Sequence, residues 1–490
     1  MTNVQTGVRE VGLYINGQYV KSSNGVTFEV KNPATQEVIA RVSEATEQDV
    51  DKACRAAREA FENGPWRTMT LAERCEKLRR MAEIIMERKE EIARLDAIDV
   101  GKPYQSAVEH EVPRAAHNIR FFADFVEKQG GETYPMEENY INYTRYEPVG
   151  VAALITPWNV PFMLTTWKLG PCLAAGNTAV IKPAEMTPLS VSLLGEIAKE
   201  AGIPDGVVNV IHGQGNVAGT ALTTHPEVDL ISFTGSTATG RRILKNGADT
   251  LKKVSFELGG KAANIVFEDA DLDTAIPGSI HAAFMNSGQI CLAGSRILVQ
   301  RSIFEEFLER FKKAAMELKV GDPQNKDTKM GPLVSEEHYK KVTSYFEIAK
   351  EEGAALICGG KRPELPDYLQ NGYYLEPTVY VTENPKSRMC QEEIFGPVVT
   401  IIPFDTEEEA LRIANDTEYG LNGVVWTQNL QRAHRISHAV RAGTIWVNCW
   451  FVRDLRAPFG GFKKSGIGRE GGHHSMEFFT EAKNICIALK

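Results

Sequence analysis

Polar and apolar residues change period along this chain, and the changes divide it into regions. Near the start, LYINGQYV (13–20) alternates as a short strand pair should, with Asn16-Gly17 in the place of a hairpin turn. Apolar residues then recur at helical spacing around 49–63 and over 71–99, where Gly101 and Pro103 stop the pattern. A third helical pattern covers about 113–129. From Val149 the period shifts. Continuous apolar runs (GVAALITP, TAVIKP, VVNVIHG, DLISFTG and KVSFELGG) alternate with helical stretches such as LSVSLLGEIAKEAGIP, which Gly202 and Pro204 close.

A second series of the same kind starts near Gly260. NIVFEDA, SRILVQ, TVYVT, VVTIIPF, GVVWTQ and TIWVN read as strands. SIFEEFLERFKKAAMELK reads as an amphipathic helix with Phe304, Phe307, Leu308, Phe311 and Ala315 on one face. NICIAL reads as a final strand after a turn rich in Gly and His. Strands separated by helices imply an α/β fold with parallel sheets covered on both faces. In such sheets ligands sit at the carboxyl ends of the strands.

With 490 residues the chain exceeds one ordinary core, so two or three domains are expected. A net charge of −9 argues against nucleic acid as a partner, since such proteins carry a basic face. The N-terminal stretch has no basic segment leading into an apolar core, and no apolar run is long enough to cross a membrane. The 8 cysteines are scattered without a CxxC pair, which points to reduced thiols in the cytoplasm and no metal site.

Five segments carry candidate chemistry. Cys291 lies in a small-residue turn, Gly288-Gln289-Ile290-Cys291, where a sulfur is open to close approach; most single cysteines are small buried hydrophobes instead. Glu257 ends a β run just before two glycines. A partly desolvated carboxylate there can act as a general base, although a solvated strand-end Glu is the commoner case. Asn159 follows a strand broken by Pro157, so its amide can donate to an oxyanion or simply cap the next helix. Lys182 and Glu185 close the next strand, where Glu can accept from ribose hydroxyls and repel a 2′-phosphate, or the two can form a solvated pair. Residues 233–240, FTGSTATG, make a strand, a Gly turn and a helix start, a weak phosphate signal that is neither GxGxxG nor a Walker loop.

Taken together, PWN, KPAE, FTGS, FELGGK, GQIC, EEIFGP and PFGG resemble the aldehyde dehydrogenase superfamily in identity and order, over essentially the whole chain. The resemblance implies the aldehyde dehydrogenase fold: a Rossmann-like NAD domain (1–131 and 150–258), an α/β catalytic domain (259–470) and a β oligomerisation arm (132–149 and 471–490), assembling as a homodimer or homotetramer. It implies that Cys291 attacks the aldehyde as a thiolate, that the Asn159 amide and the Cys291 N–H hold the oxyanion, and that Glu257 activates the water that hydrolyses the thioester. The thiol then needs a lowered pKa or a nearby base. NAD contacts are implied for Ile155, Thr156, Trp158, Lys182, Glu185, Gly215, Gly219, Phe233, Gly235, Ser236, Leu258, Glu393 and Phe395.

Val112-Pro113-Arg114 and Val452-Arg453-Asp454-Leu455-Arg456 are similar to the branch that oxidises 2-hydroxymuconate, carboxymethyl-hydroxymuconate or 2-aminomuconate semialdehydes in aromatic-ring catabolism. In that branch Arg114 and Arg453 match arginines that bind the substrate carboxylate, a task suited to the guanidinium fork, whereas Arg456 reads as structural. Other readings are a betaine or aliphatic aldehyde as substrate, a CoA-acylating enzyme, which Glu257 disfavours, and a non-catalytic binding protein.

Overall fold

The computed structural model describes residues 7–489. Two large sheets organise the chain. The first has eight strands in the order Gly466–Ile467, Lys253–Glu257, Leu230–Thr234, Val151–Ile155, Thr178–Lys182, Val208–Val210, Leu13–Ile15 and Gln18–Val20. The five strands from Lys253–Glu257 to Val208–Val210 run parallel. The strands Val151–Ile155 and Thr178–Lys182 are buried along their whole length, which explains their unbroken apolar runs. Antiparallel strands close both edges. At one edge the predicted hairpin turns through Asn16 (φ 49°) and Gly17 (φ 78°), the left-handed pair of a type I′ turn.

Register brings the carboxyl ends level. Ile155 pairs with Lys182 on one side and Phe233 on the other, and Thr234 pairs with Glu257. Segments read separately from sequence therefore meet on one sheet edge.

The second sheet has seven strands in the order Ala355–Cys358, Thr378–Val381, Val398–Phe404, Arg296–Gln300, Ala263–Val266, Asn422–Trp426 and Thr444–Val447. All pairs but the first are parallel. The chain passes from Glu257 in the first sheet to Ala263 in the second through residues 258–262, so the end of one sheet feeds the start of the other. The helix Phe304–Met316 covers the second sheet, with Phe307, Phe311 and Ala315 buried and Phe304 and Leu308 partly buried.

The pattern over 71–99 forms two helices, Leu71–Glu87 and Lys89–Val100. The axis breaks at Arg88, whose guanidinium bonds Glu91 at 2.9 Å and Glu196 at 2.6 Å. Gly101 ends the second helix at φ 82°. The third helix is Val112–Val126, entered through one π turn at Ala107–Glu111. The stretch after Pro188 is a 3₁₀ turn, Val191–Leu193, and then the helix Leu194–Glu200.

A third sheet joins Thr480–Ala488, Tyr140–Pro148 and Thr133–Tyr134, all antiparallel, and leaves Tyr134, Tyr140, Ile141, Tyr146 and Ile487 exposed. A fourth, small sheet of Arg9–Val11, Val38–Ser43 and Thr27–Lys31 has no counterpart in the sequence reading. Among the described residues no helix is long and apolar enough to cross a membrane.

Candidate active site

Cys291 is delivered by a strained turn. Asn286 and Ser287 within Met285–Gly288 are left-handed at φ 50° and 56°. Such backbone costs on the order of 1–3 kcal/mol per residue and persists where neighbours enforce it. Here they do. Asn286 Nδ2 donates to the Asn159 carbonyl at 3.1 Å, Ser287 Oγ donates to the Gly331 carbonyl at 2.8 Å, and Gln289 Oε1 accepts from Val334 N at 3.1 Å. Gly260 fits closely against the same turn: a Cβ there would lie 2.4 Å from the Cys291 carbonyl oxygen. FELGGK and GQIC thus touch, although the strand and the turn are distant in sequence.

Asn159 is buried, and its Nδ2 donates to the Gln289 carbonyl at 2.8 Å. That bond sets the amide plane beside the Cys291 turn and leaves the second N–H free to donate. Glu257 is also buried, and neither of its carboxyl oxygens has a hydrogen-bond partner among the described residues. Burial, with the nearby Glu470, holds its pKa well above the usual carboxylate range, against Lys168, Arg453 and Arg469. Burial also pushes the Cys291 thiol up to about 12; Glu393 and Glu257 add to this, and Arg453 opposes it. Of the two sequence alternatives, a lowered thiol or a nearby base, this direction favours the base. The thiol lies in an apolar, acidic setting and needs a base.

The sequence-predicted cofactor residues assemble along the first sheet's edge. Ile155 ends its strand, and Thr156 Oγ1 is hydrogen-bonded to Thr165 Oγ1 at 2.9 Å. Lys182 is buried; its Nζ donates to the Pro183 carbonyl at 3.1 Å and lies 3.6 Å from Glu185. A Cβ at Gly219 would lie 3.8 Å from the Lys182 side chain, and one at Gly215 would meet open space. Beside Phe233, Gly235 N donates to the Glu257 carbonyl at 3.0 Å, and Ser236 Oγ accepts from Thr239 N at 3.2 Å to cap the helix Thr237–Gly247. Leu258 packs against Gly240. Glu393 accepts from Gly260 N at 2.8 Å, which ties EEIFGP to FELGGK. Trp158 and Phe395 meet edge to face at 5.2 Å.

Arg114 and Arg453 line one cavity of about 50 Å³ together with Asn118, Met163, Leu164, Trp167 and Phe451. Neither forms an ion pair among the described residues, and Arg453 lies over the rings of Phe459 (3.8 Å) and Trp167 (5.1 Å). Burial and the neighbouring Arg114 lower the Arg453 pKa to about 10, which still leaves it charged at neutral pH. Arg456 is paired to Asp454 at 2.6 Å, consistent with a structural role.

The sequence profile of the Aldehyde dehydrogenase family matches residues 19–485. The chain belongs to the aldehyde dehydrogenase family. It is 48% identical to the 2-hydroxymuconic semialdehyde dehydrogenase of Pseudomonas sp. (strain CF600), over 98% of this chain and 100% of the relative. It is 45% identical to the 5-carboxymethyl-2-hydroxymuconate semialdehyde dehydrogenase of Escherichia coli, over 96% and 99%. The NAD+ complex of the aldehyde dehydrogenase from Bacillus cereus superposes with a TM-score of 0.96 at 45% identity, covering 98% and 97%.

Within this aldehyde dehydrogenase fold, three neighbours of the site escaped the sequence reading. Glu470 accepts from Trp167 Nε1 at 2.6 Å and from Lys168 Nζ at 2.7 Å, and Lys168 also donates to Ser232 Oγ at 3.0 Å. A single lysine inside the apolar helix Pro161–Ala175 was the available signal. His338 lies 5.1 Å from Trp158 and donates from Nε2 to the Phe395 carbonyl at 2.7 Å. Burial lowers its pKa to about 4, so it is a neutral donor, and its bond helps hold Phe395 at φ 63°.

Proposed function

We propose that this protein is an NAD-dependent aldehyde dehydrogenase that oxidises a carboxylated semialdehyde, of the 2-hydroxymuconate semialdehyde type, to the acid. The observation that carries the substrate reading is the pair Arg114 and Arg453, neither in an ion pair among the described residues, in an apolar-walled cavity whose Arg453 bears electrostatically on Cys291. A betaine-type cation would be repelled there. The names of the Pseudomonas and Escherichia coli relatives support the same class.

In this reading Glu257, as the carboxylate and one of two acids whose charge bears on the thiol, takes the Cys291 proton, and the thiolate adds to the aldehyde carbon. The free Asn159 N–H and the Cys291 backbone N–H receive the oxyanion. NAD, when bound, supplies the hydride acceptor. Loss of hydride from the adduct leaves a thioester on Cys291. Glu257, once it has passed the thiol's proton to solvent, removes a proton from water, which attacks the thioester and expels the thiolate as the acid forms. The sheet edge suits a dinucleotide: Lys182 keeps an N–H for a ribose hydroxyl, Glu185 and Glu393 offer acceptors, and the helix at Ser236 offers free N–H groups for phosphate. Residues 1–131 with 150–258 would form the NAD domain and 259–470 the catalytic domain, with Gly466–Ile467 returning to the first sheet. The third sheet, within 132–149 and 471–490, with its exposed apolar residues, would pair with another copy in a homodimer or homotetramer. The 8 cysteines are all unbridged, as suits the cytoplasm.

The test is a substrate panel with NAD. Adipate semialdehyde and muconic semialdehydes should yield NADH and acid without CoA, at higher kcat/KM than hexanal. Arg453→Ala should erase most of that preference. Failure of every carboxylated semialdehyde to turn over would end the substrate reading.

A further inference from the structure

Arg114 bonds one neighbour, and the nature of that neighbour matters. Its Nε donates to Asn118 Oδ1 at 3.1 Å, one turn along the same helix. Among the described residues it makes no other side-chain hydrogen bond, so both Nη groups remain for a ligand in the cavity. Asn118 is almost wholly buried, and its amide cannot be reversed. Its Nδ2 faces the Met163 carbonyl at 3.1 Å, which can only accept. It also faces Thr166 Oγ1 at 3.3 Å, whose own hydrogen is spent on the Met163 carbonyl at 2.9 Å. The Asn118 oxygen is therefore locked toward Arg114. The acid whose field reaches Arg114 is Asp454, and it is occupied: Arg456 holds it through Nε at 3.0 Å, Nη2 at 2.6 Å and the backbone N at 2.9 Å.

We propose that Asn118 is a positioning residue for substrate selectivity, which orients Arg114 with a neutral oxygen so that its charge and its Nη fork stay available to the substrate carboxylate. This rests on the carboxylate reading above. A carboxylate at position 118 would orient the guanidinium equally well but would cancel its charge, whereas the neutral amide gives orientation without neutralisation. The amide also ties two packed helices together, so the test must separate selectivity from packing.

The experiment measures kcat/KM for adipate semialdehyde and for hexanal in wild type, Arg114→Ala, Asn118→Ser and Asn118→Asp, with thermal melting of each. Asn118→Ser should lower the charged-to-uncharged selectivity ratio about tenfold, the size of one charge-assisted hydrogen bond, chiefly through KM. Asn118→Asp should lower it further, because Arg114 then carries a permanent counter-ion. Equal losses on both aldehydes would show a purely structural role and overturn the proposal. An Arg114→Ala loss of selectivity with unchanged ratios in both Asn118 variants would also overturn it while leaving the carboxylate reading intact. If Arg114→Ala keeps the full ratio, the carboxylate role of Arg114 fails, and the role of Asn118 with it. Adipate inhibition of hexanal turnover gives a second readout should one variant fold poorly: Asn118→Asp must weaken it.

Discussion

Replacing Asn159 by alanine separates chemistry from packing more cleanly than any other change at this site. The side chain offers two amide hydrogens. One is fixed on the Gln289 carbonyl at 2.8 Å, and the other is the proposed oxyanion donor. Removing an oxyanion donor of this kind costs about 2.7–4 kcal/mol, or roughly 10²–10³ in kcat. The structural cost should be small. The Gln289 carbonyl keeps a bond from Asn286 Nδ2 at 3.4 Å, and Asn286 also keeps its bond to the backbone carbonyl of residue 159. No buried acceptor is orphaned, so the loss is about 1 kcal/mol and the melting temperature should fall by about 2 °C. The assay is NADH formation at saturating aldehyde, with NAD binding and melting measured in parallel. The expected result is a kcat lower by at least about a hundredfold, with NAD affinity and melting nearly unchanged. A kcat within about fivefold of wild type would refute the oxyanion assignment; a collapse of melting would show that the turn, not the donor, had been lost.

Three further predictions follow from the buried titratable groups. Glu257→Gln should slow first-turnover NADH formation, because Cys291 loses its base, and should slow steady-state turnover by about 10² or more; a wild-type rate in either phase would contradict its role as base. The Glu257 pKa is raised on folding, so ionisation opposes folding as pH climbs above about 4.5, and the glutamine variant should melt higher than wild type at pH 8. His212 is buried with no hydrogen-bond partner among the described residues, and burial lowers its pKa to about 3. Its depressed value means that it supports folding fully above about pH 6.5 and costs stability as the unfolded chain takes up a proton below that, by about 2 kcal/mol at pH 5. His212→Gln should therefore flatten melting temperature against pH between those values, and an unchanged slope would contradict the assignment.

What the sequence made legible and what it hid follow from the range of the interactions. The parallel strands announced themselves because burial on both faces keeps them mostly apolar, and the edge residues sit directly after those runs at Pro or Gly breaks. The strands Thr27–Lys31 and Val38–Ser43 were missed because each is only partly buried, so neither shows the unbroken apolar run of a central strand. The break at Arg88 was missed because no Gly or Pro marks it; the Arg88 guanidinium reaches Glu196, far along the chain. Motif order named Cys291, Glu257 and Asn159, yet no local pattern shows that Glu470 sits under Lys168, or that Asn118 orients Arg114 through contacts with Met163 and Thr166.

Electrostatics were the least legible part, and they suggest why two arginines stand where one would recognise a carboxylate. Cys291 and Glu257 each raise the other's cost of ionising, so the site favours one negative charge on the pair at a time. Arg453 opposes the upward shift of both. On the proposed reading, a substrate carboxylate bound to Arg453 alone would cancel that field at the moment the thiolate is needed. Arg114, on the helix Val112–Val126 and held by a neutral oxygen, takes its share of the substrate charge and leaves the cavity net positive. Binding and activation then draw on different guanidinium groups, which a single arginine could not provide.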